Sequence, residues 1–183
     1  MKVFKEEQRF TQTWLVTLLG ISLIVPIVIL ASEYFKEDTK ISINEFVFSS
    51  LGIVICGVFI FFFKLKTRID EIGIHYQFVP FHFSFKKITN EVPIKYEGRS
   101  YDQGKKITWK EITKAYVKSY NPISDFGGWG LKGGWSNSKG KAINVSGDIG
   151  IQLELKNGKK ILIGTQKKEE ATQVLLTYQN KLL

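Results

Sequence analysis

The sequence predicts an α+β membrane protein: a two-helix transmembrane hairpin over residues 1–66, then a compact β-rich domain over 67–183 closed by a C-terminal helix. Three observations lead there. Two long uncharged blocks stand near the N-terminus, short alternating aromatic and β-branched segments with turn signals follow, and the last twenty residues carry one apolar stripe at helical spacing.

The mean hydropathy of -0.04 hides this division. No residue is charged from Phe10 to Ser32, a run of 23, nor from Phe46 to Phe63, a run of 18. At the helical rise these blocks span about 34 and 27 Å, against a hydrocarbon core of roughly 30 Å. The spans are therefore expected at about 10–32 and 46–63. A signal peptide fits poorly, because its apolar region is about 7–15 residues and ends at a small-residue cleavage site. Ala31-Ser32-Glu33 is not such a site, and a second apolar block follows after a loop of 13 residues.

Basic residues orient the hairpin. Lys2, Lys5 and Arg9 precede the first block and Lys64, Lys66 and Arg68 follow the second, whereas the loop Glu33–Glu45 offers Lys36 and Lys40 among four acidic residues. Lys and Arg near span ends are retained in the cytoplasm, so both termini are expected there. Trp14, Tyr34, Phe35 and Phe46 sit near the expected interfaces, where amphipathic rings are favoured. The net charge of +9 also divides: Lys64–Leu183 holds 21 Lys and Arg against 11 Asp and Glu, so residues before it sum to -1. A basic domain held at a membrane has an anionic leaflet as its nearest partner, which makes nucleic acid the less economical explanation.

Within the first span, Pro26 frees one helical carbonyl. In the second, Ser49, Gly52 and Cys56 form a small-residue stripe, open to two readings: an oligomer contact, or packing against the other helix of the hairpin. Cys56 is the only cysteine, so no intrachain disulfide forms, and with His75 and His82 as the only histidines no metal or cofactor site is expected.

Beyond Arg68 the pattern is β. Ile69–Phe78 and Phe81–Phe85 are expected as two strands joined by the turn Val79-Pro80-Phe81, and residues 89–106 as a polar surface excursion. Thr108–Tyr120 supports both periods. Thr108 and Glu111 make a capping-box pair and Trp109, Ile112, Tyr116 and Tyr120 keep helical spacing, but β-branched residues dominate; we expect a short turn at Trp109–Glu111 entering a strand. Between Gly127 and Gly140 six glycines interleave with Trp129 and Trp135. This is not a phosphate-binding loop, since Gly134 stands where the lysine is required.

Ala142–Ser146, Gly150–Leu155 and Lys160–Ile163 read as three short strands. A three-residue loop, Lys156-Asn157-Gly158, aligns Leu153 with Ile161 and Ile151 with Ile163 and keeps one face apolar, which requires Gly158 in the left-handed region. The chain ends in a helix with Thr165 as its expected N-cap and a stripe of Ala171, Val174, Leu175, Tyr178 and Leu182.

Trp109 with Glu111-Ile112, Tyr116-Val117-Lys118 and Tyr120, Phe126-Gly127-Gly128-Trp129-Gly130, Asn144-Val145-Ser146-Gly147 and Ile161–Gln166 together resemble a bacterial membrane-anchored pleckstrin-homology-like (PH-like) family. The resemblance covers most of residues 69–183. It implies a seven-stranded bent β-barrel or sandwich capped by the C-terminal helix, placed at the bacterial cytoplasmic membrane, and no established activity. Residues 89–106 depart as an insertion, and Lys167 stands where the family often has Pro. The basic first hairpin of lipid-binding relatives is here the apolar Val79-Pro80-Phe81, so that head-group site does not carry over.

No catalytic set is expected. Asp102, Glu111, Asp125 and Asp148 are scattered among turn signals, and Ser124-Asp125 lacks a histidine partner. The expected function is a non-enzymatic membrane-tethered binding or assembly module that recruits a protein partner, or a second copy, through Phe126, Trp129 and Trp135. The same rings also suit barrel closure; where the two tryptophans divide these roles, Trp129 is expected inside and Trp135 outside. The alternative is a peripheral lipid sensor whose basic face, Lys64, Lys66 and Arg68, binds anionic lipid.

Overall fold

The computed structural model describes residues 2–38, 40–79, 105–133 and 140–182. Two compact units emerge, Arg9–Phe63 and a second built from Met1–Gln8 together with Lys64–Leu183. The sequence assigns residues 1–66 to the hairpin; here the first residues of the chain belong instead with the β-rich unit.

The helical unit holds α1 (Thr13–Tyr34) and α2 (Ile43–Phe59), the latter running into a 3-10 turn at Ile60–Phe62. α1 contains Pro26, buries no residue and has a mean hydropathy of 2.6 in its most apolar window. It is long and apolar enough to cross a membrane, whereas α2 is shorter at 17 residues. Ser42 and Glu45 cap α2 reciprocally, the Ser42 amide donating to Glu45 Oε2 at 2.8 Å and the Glu45 amide to Ser42 Oγ at 3.3 Å. Tyr34 stacks on Phe46 at 4.8 Å, and Gly57 is buried against the Leu23 side chain. Ser49, Gly52 and Cys56 line a shallow hollow with Ser22 and Pro26 of α1.

In the β-rich unit, one sheet has the order β1-β2-β3-β4, from Phe4–Arg9, Lys64–Ile69, Gly73–Val79 and Lys105–Thr108. Ile69–Phe78, expected as one strand, is thus broken by a turn. The Asp70 amide donates to Gly73 O at 3.1 Å, and Asp70 Oδ1 accepts from the Ile72 and Gly73 amides at 3.0 and 3.3 Å. Such a side-chain cap is why Asp-x-x-Gly turns here instead of extending. Strands β2 and β3 pair antiparallel with Leu65, Thr67 and Ile69 opposite Phe78, Tyr76 and Ile74 on the buried face. Lys64, Lys66 and Arg68 consequently share the outward face.

The second sheet has the order β5-β8-β9-β7-β6, with β5 Ile112–Ser119, β6 Gly130–Lys132, β7 Lys141–Asn144, β8 Ile149–Leu155 and β9 Lys160–Gly164. The β7–β9 pair is parallel and the other pairs antiparallel. Leu153 pairs with Ile161 and Ile151 with Ile163, and Gly158 has φ 76°, as the apolar face demanded. Thr108 and Glu111 form the capping box of a 3-10 turn, Trp109–Glu111, that enters β5. Among the described residues the strands make two open sheets, not one closed seven-stranded barrel. The expected strand Phe81–Phe85, the turn at Pro80-Phe81 and residues 89–104 lie outside the described residues, while Lys105 and Lys106 belong to β4 and not to an excursion.

The closing helix, α4 (Lys168–Thr177), packs on β5 and β8 and buries Ala171, Val174 and Leu175, with Tyr178 just beyond it. Its N-cap is Lys167 and not Thr165. The Thr165 hydroxyl is instead committed to the N-terminus, donating to Glu6 Oε2 at 2.7 Å. β1 is fixed by further bonds of this kind. Gln8 Nε2 donates to Gly164 O at 2.7 Å, the Gln166 amide to Glu6 Oε1 at 2.8 Å, and the Tyr178 hydroxyl to Lys2 O at 2.7 Å. Phe4 is wholly buried beside them. The first strand and the last strand and helix therefore close one core, with the apolar helical pair inserted between β1 and β2.

Candidate functional site

The glycine-rich segment begins with a helix that composition obscures. Asn121 Oδ1 accepts from the Ile123 and Ser124 amides at 3.0 Å each, Pro122 occupies the first helical position, and α3 runs Pro122–Phe126. Gly127 and Gly128 donate to Ile123 O and Pro122 O, both at 2.8 Å, with Gly127 at φ 72°. That double bond pattern ends the helix abruptly.

Asn144 then anchors the chain that follows. It is wholly buried, donates from Nδ2 to the Tyr120 hydroxyl at 2.7 Å, and accepts the Gly130 amide at 2.9 Å. Trp129, held between these points, donates its indole N–H to Gly147 O at 3.0 Å and is half-buried. Phe126 is also half-buried, edge-on to Tyr120 at 5.9 Å and packed on a core of Tyr120, Ala142 and Leu162. Burial raises the Tyr120 hydroxyl above its ordinary pKa and Asp148 adds to this, against the lowering by its bond with Asn144.

Of the three expected partner anchors, then, Phe126 and Trp129 come together around Tyr120, and Trp135 lies outside the described residues. Two exposed apolar residues of the same stretch of chain are ones the sequence does not single out. Ile123 on α3 is 65% exposed and Leu131 on β6 is 52% exposed. Ile123 is the most exposed large apolar side chain described outside the helical unit. It lines a shallow hollow with Tyr120, Pro122, Trp129 and Asp148. Nothing in the sequence marks either residue, because an isolated Ile or Leu is read as core.

The basic candidates form a separate surface. Lys64 and Lys66 reach Glu7 at 3.3 and 3.7 Å, and Arg68 Nε donates to Asp70 Oδ2 at 2.9 Å. His75 Nε2 lies 3.3 Å from Asp70 Oδ1. Burial alone would raise the Asp70 pKa, but the Ile72 amide, His75 and Arg68 outweigh it and hold the carboxyl below its ordinary value. Tyr76, on the opposite, buried face of β3, is pushed up to about 12 by burial.

The fold defines an α+β protein whose apolar helical pair is inserted between the first two strands of a sheet. No family model, no curated protein and no solved structure matches the chain. The PH-like resemblance accordingly rests on the sequence motifs alone.

Proposed function

We propose that this chain is a non-enzymatic, two-pass membrane-tethered module of PH-like type that recruits a protein partner on the cytoplasmic side. The tether is supported by chain parity. β1 precedes α1, β2 follows α2, and the two strands are neighbours in one sheet. A sheet cannot form across a bilayer, so the segment between them crosses an even number of times. If α1 crosses, α2 crosses too. Ile43–Phe59 rises about 25 Å and its 3-10 extension adds about 6 Å, which together match a hydrocarbon core of roughly 30 Å. The excess of Lys and Arg on the strand side of both helices favours the cytoplasm for that side.

Recruitment rests on one observation: Ile123, 65% exposed, lines a hollow with half-buried Trp129. A large exposed apolar side chain next to an aromatic ring fixed by its own hydrogen bond has the makings of a binding anchor. The experiment is site-specific photo-crosslinking from position 123 of the full chain in its native membrane. A discrete adduct of one mass, lost on Trp129→Ala but kept on Leu176→Ala, supports the surface. Absence of any adduct from positions 123 and 131 contradicts it.

A further inference from the structure

The four-stranded sheet buries one face and turns the other outward, and the outward face carries Lys or Arg on three of its four strands. Lys5 of β1, Lys64, Lys66 and Arg68 of β2 and Lys106 of β4 stand there, with Glu7 and Asp70 as counter-charges. The register makes the arrangement sharper. Arg68 pairs with His75 and His75 with Lys106, so Arg68 and Lys106 flank the His75 ring in one row across three adjacent strands. Lys5, Lys66, Arg68 and His75 also border one shallow cleft with Gln77 and the carboxylates of Glu6 and Glu7.

We propose that this outward face binds the phosphate-bearing head groups of an anionic bilayer. Phosphate suits the donor set: Arg68 brings a planar guanidinium oriented by Asp70 at Nε, and Lys66 and Lys106 supply point charges. The bilayer is favoured over other anions by chain length. β2 begins directly after the apolar segment ending at Phe63, and β1 ends four residues before α1. Lys66 is two residues beyond Lys64 and Arg68 four, so along an extended strand they lie within about 7 and 13 Å of it. The first lies inside a Debye length of about 8 Å at physiological salt and the second beyond it. The face widens the triad Lys64, Lys66 and Arg68 to β1, β3 and β4, and it is separate from the Ile123 surface.

The inference rests on the membrane tether of the preceding reading, and one experiment separates the two. Full-length protein is reconstituted into vesicles of phosphatidylcholine alone and into vesicles also containing phosphatidylglycerol. Lysines are acylated with a water-soluble reagent, and rates are read residue by residue by mass spectrometry. Lys66 and Lys106 should react several-fold more slowly in the anionic vesicles, and high salt should abolish the difference. Lys159 and Lys160 in the β8–β9 hairpin should react equally in both. Equal rates at Lys66 and Lys106 in the two vesicles overturn the inference while leaving the tether standing. Protein that enters neither vesicle overturns both. Protection in neutral vesicles on adding glycerol phosphate, to the same extent as with phosphatidylglycerol, identifies a small-anion site and overturns the bilayer assignment. The double variant Lys66→Gln/Lys106→Gln should lose the salt-dependent protection at Lys5.

Discussion

Replacing Phe4 with Ala tests whether the residues ahead of the first apolar helix belong to the core of the β-rich unit. Phe4 is fully buried, and its strand is held by the bonds of Gln8 to Gly164, of Glu6 to Thr165 and Gln166, and of Tyr178 to Lys2. Those bonds hold β1 in place when the ring is removed, so the site cannot collapse and a cavity remains. Truncating a buried Phe costs about 3–5 kcal/mol under such conditions. With a urea dependence of about 2 kcal/mol per molar, the unfolding midpoint should fall by roughly 1.5–2.5 M. The assay is pulse proteolysis of the full-length chain in mild detergent across a urea series, following fragments that contain α4. Val3→Ala, at an exposed neighbouring position, serves as the control and should shift little. A Phe4→Ala midpoint indistinguishable from the control would show that β1 is not part of the core, and the parity inference would fall with it.

Three further outcomes are expected. Gly158→Val should destabilise by at least ~1 kcal/mol, because φ 76° is costly for a β-branched residue; an unchanged melting temperature contradicts the β8–β9 loop geometry. Asn144→Ala should cost about 1–3 kcal/mol by orphaning the Tyr120 hydroxyl and the Gly130 amide, and should increase solvent quenching of Trp129; unaltered quenching would mean that Asn144 does not hold that segment. Asp70 has a folded pKa below its unfolded value, so its stabilisation is present above the unfolded pKa and lost as pH falls through the folded one. Wild type should therefore weaken progressively below about pH 4 and Asp70→Asn should start weaker at neutral pH and respond less; parallel pH curves contradict this.

The parts legible in the sequence are those where one local signal meets one face. Asn157-Gly158 between two apolar alternations allowed the β8–β9 register to be read residue by residue. Thr108 and Glu111 marked the turn before β5 because a capping box needs only two side chains at fixed spacing. β1 was illegible for the opposite reason. Its inward positions are Phe4, Glu6 and Gln8, and the two polar ones are there to bond Gly164, Thr165 and Gln166 from the far end of the chain. Alternation of apolar residues is thereby erased, and Thr165 looks like a helix cap while serving a strand. α3 carried its signals in Asn121, Pro122 and Gly127, but five residues are too few for a helical period to register. For the candidate sites, Trp129 and the basic triad were visible by residue type. The exposure of Ile123 and Leu131 and the row Arg68–His75–Lys106 depend on burial and register, which only the folded chain fixes.

The central claim is that the chain crosses the membrane twice and returns to the cytoplasmic side. It is tested most directly by single-cysteine accessibility in a Cys56→Ser background. Val3→Cys, Glu37→Cys and Lys159→Cys place one thiol before α1, one between the helices and one in the β8–β9 loop, all at exposed positions. Intact cells stripped of any outer layer are treated with a membrane-impermeant maleimide before and after lysis. The account predicts labelling of the Glu37→Cys variant in intact cells, and of the Val3→Cys and Lys159→Cys variants only after lysis. Labelling of the Val3→Cys and Lys159→Cys variants from opposite sides, or protection of all three until lysis, would contradict it.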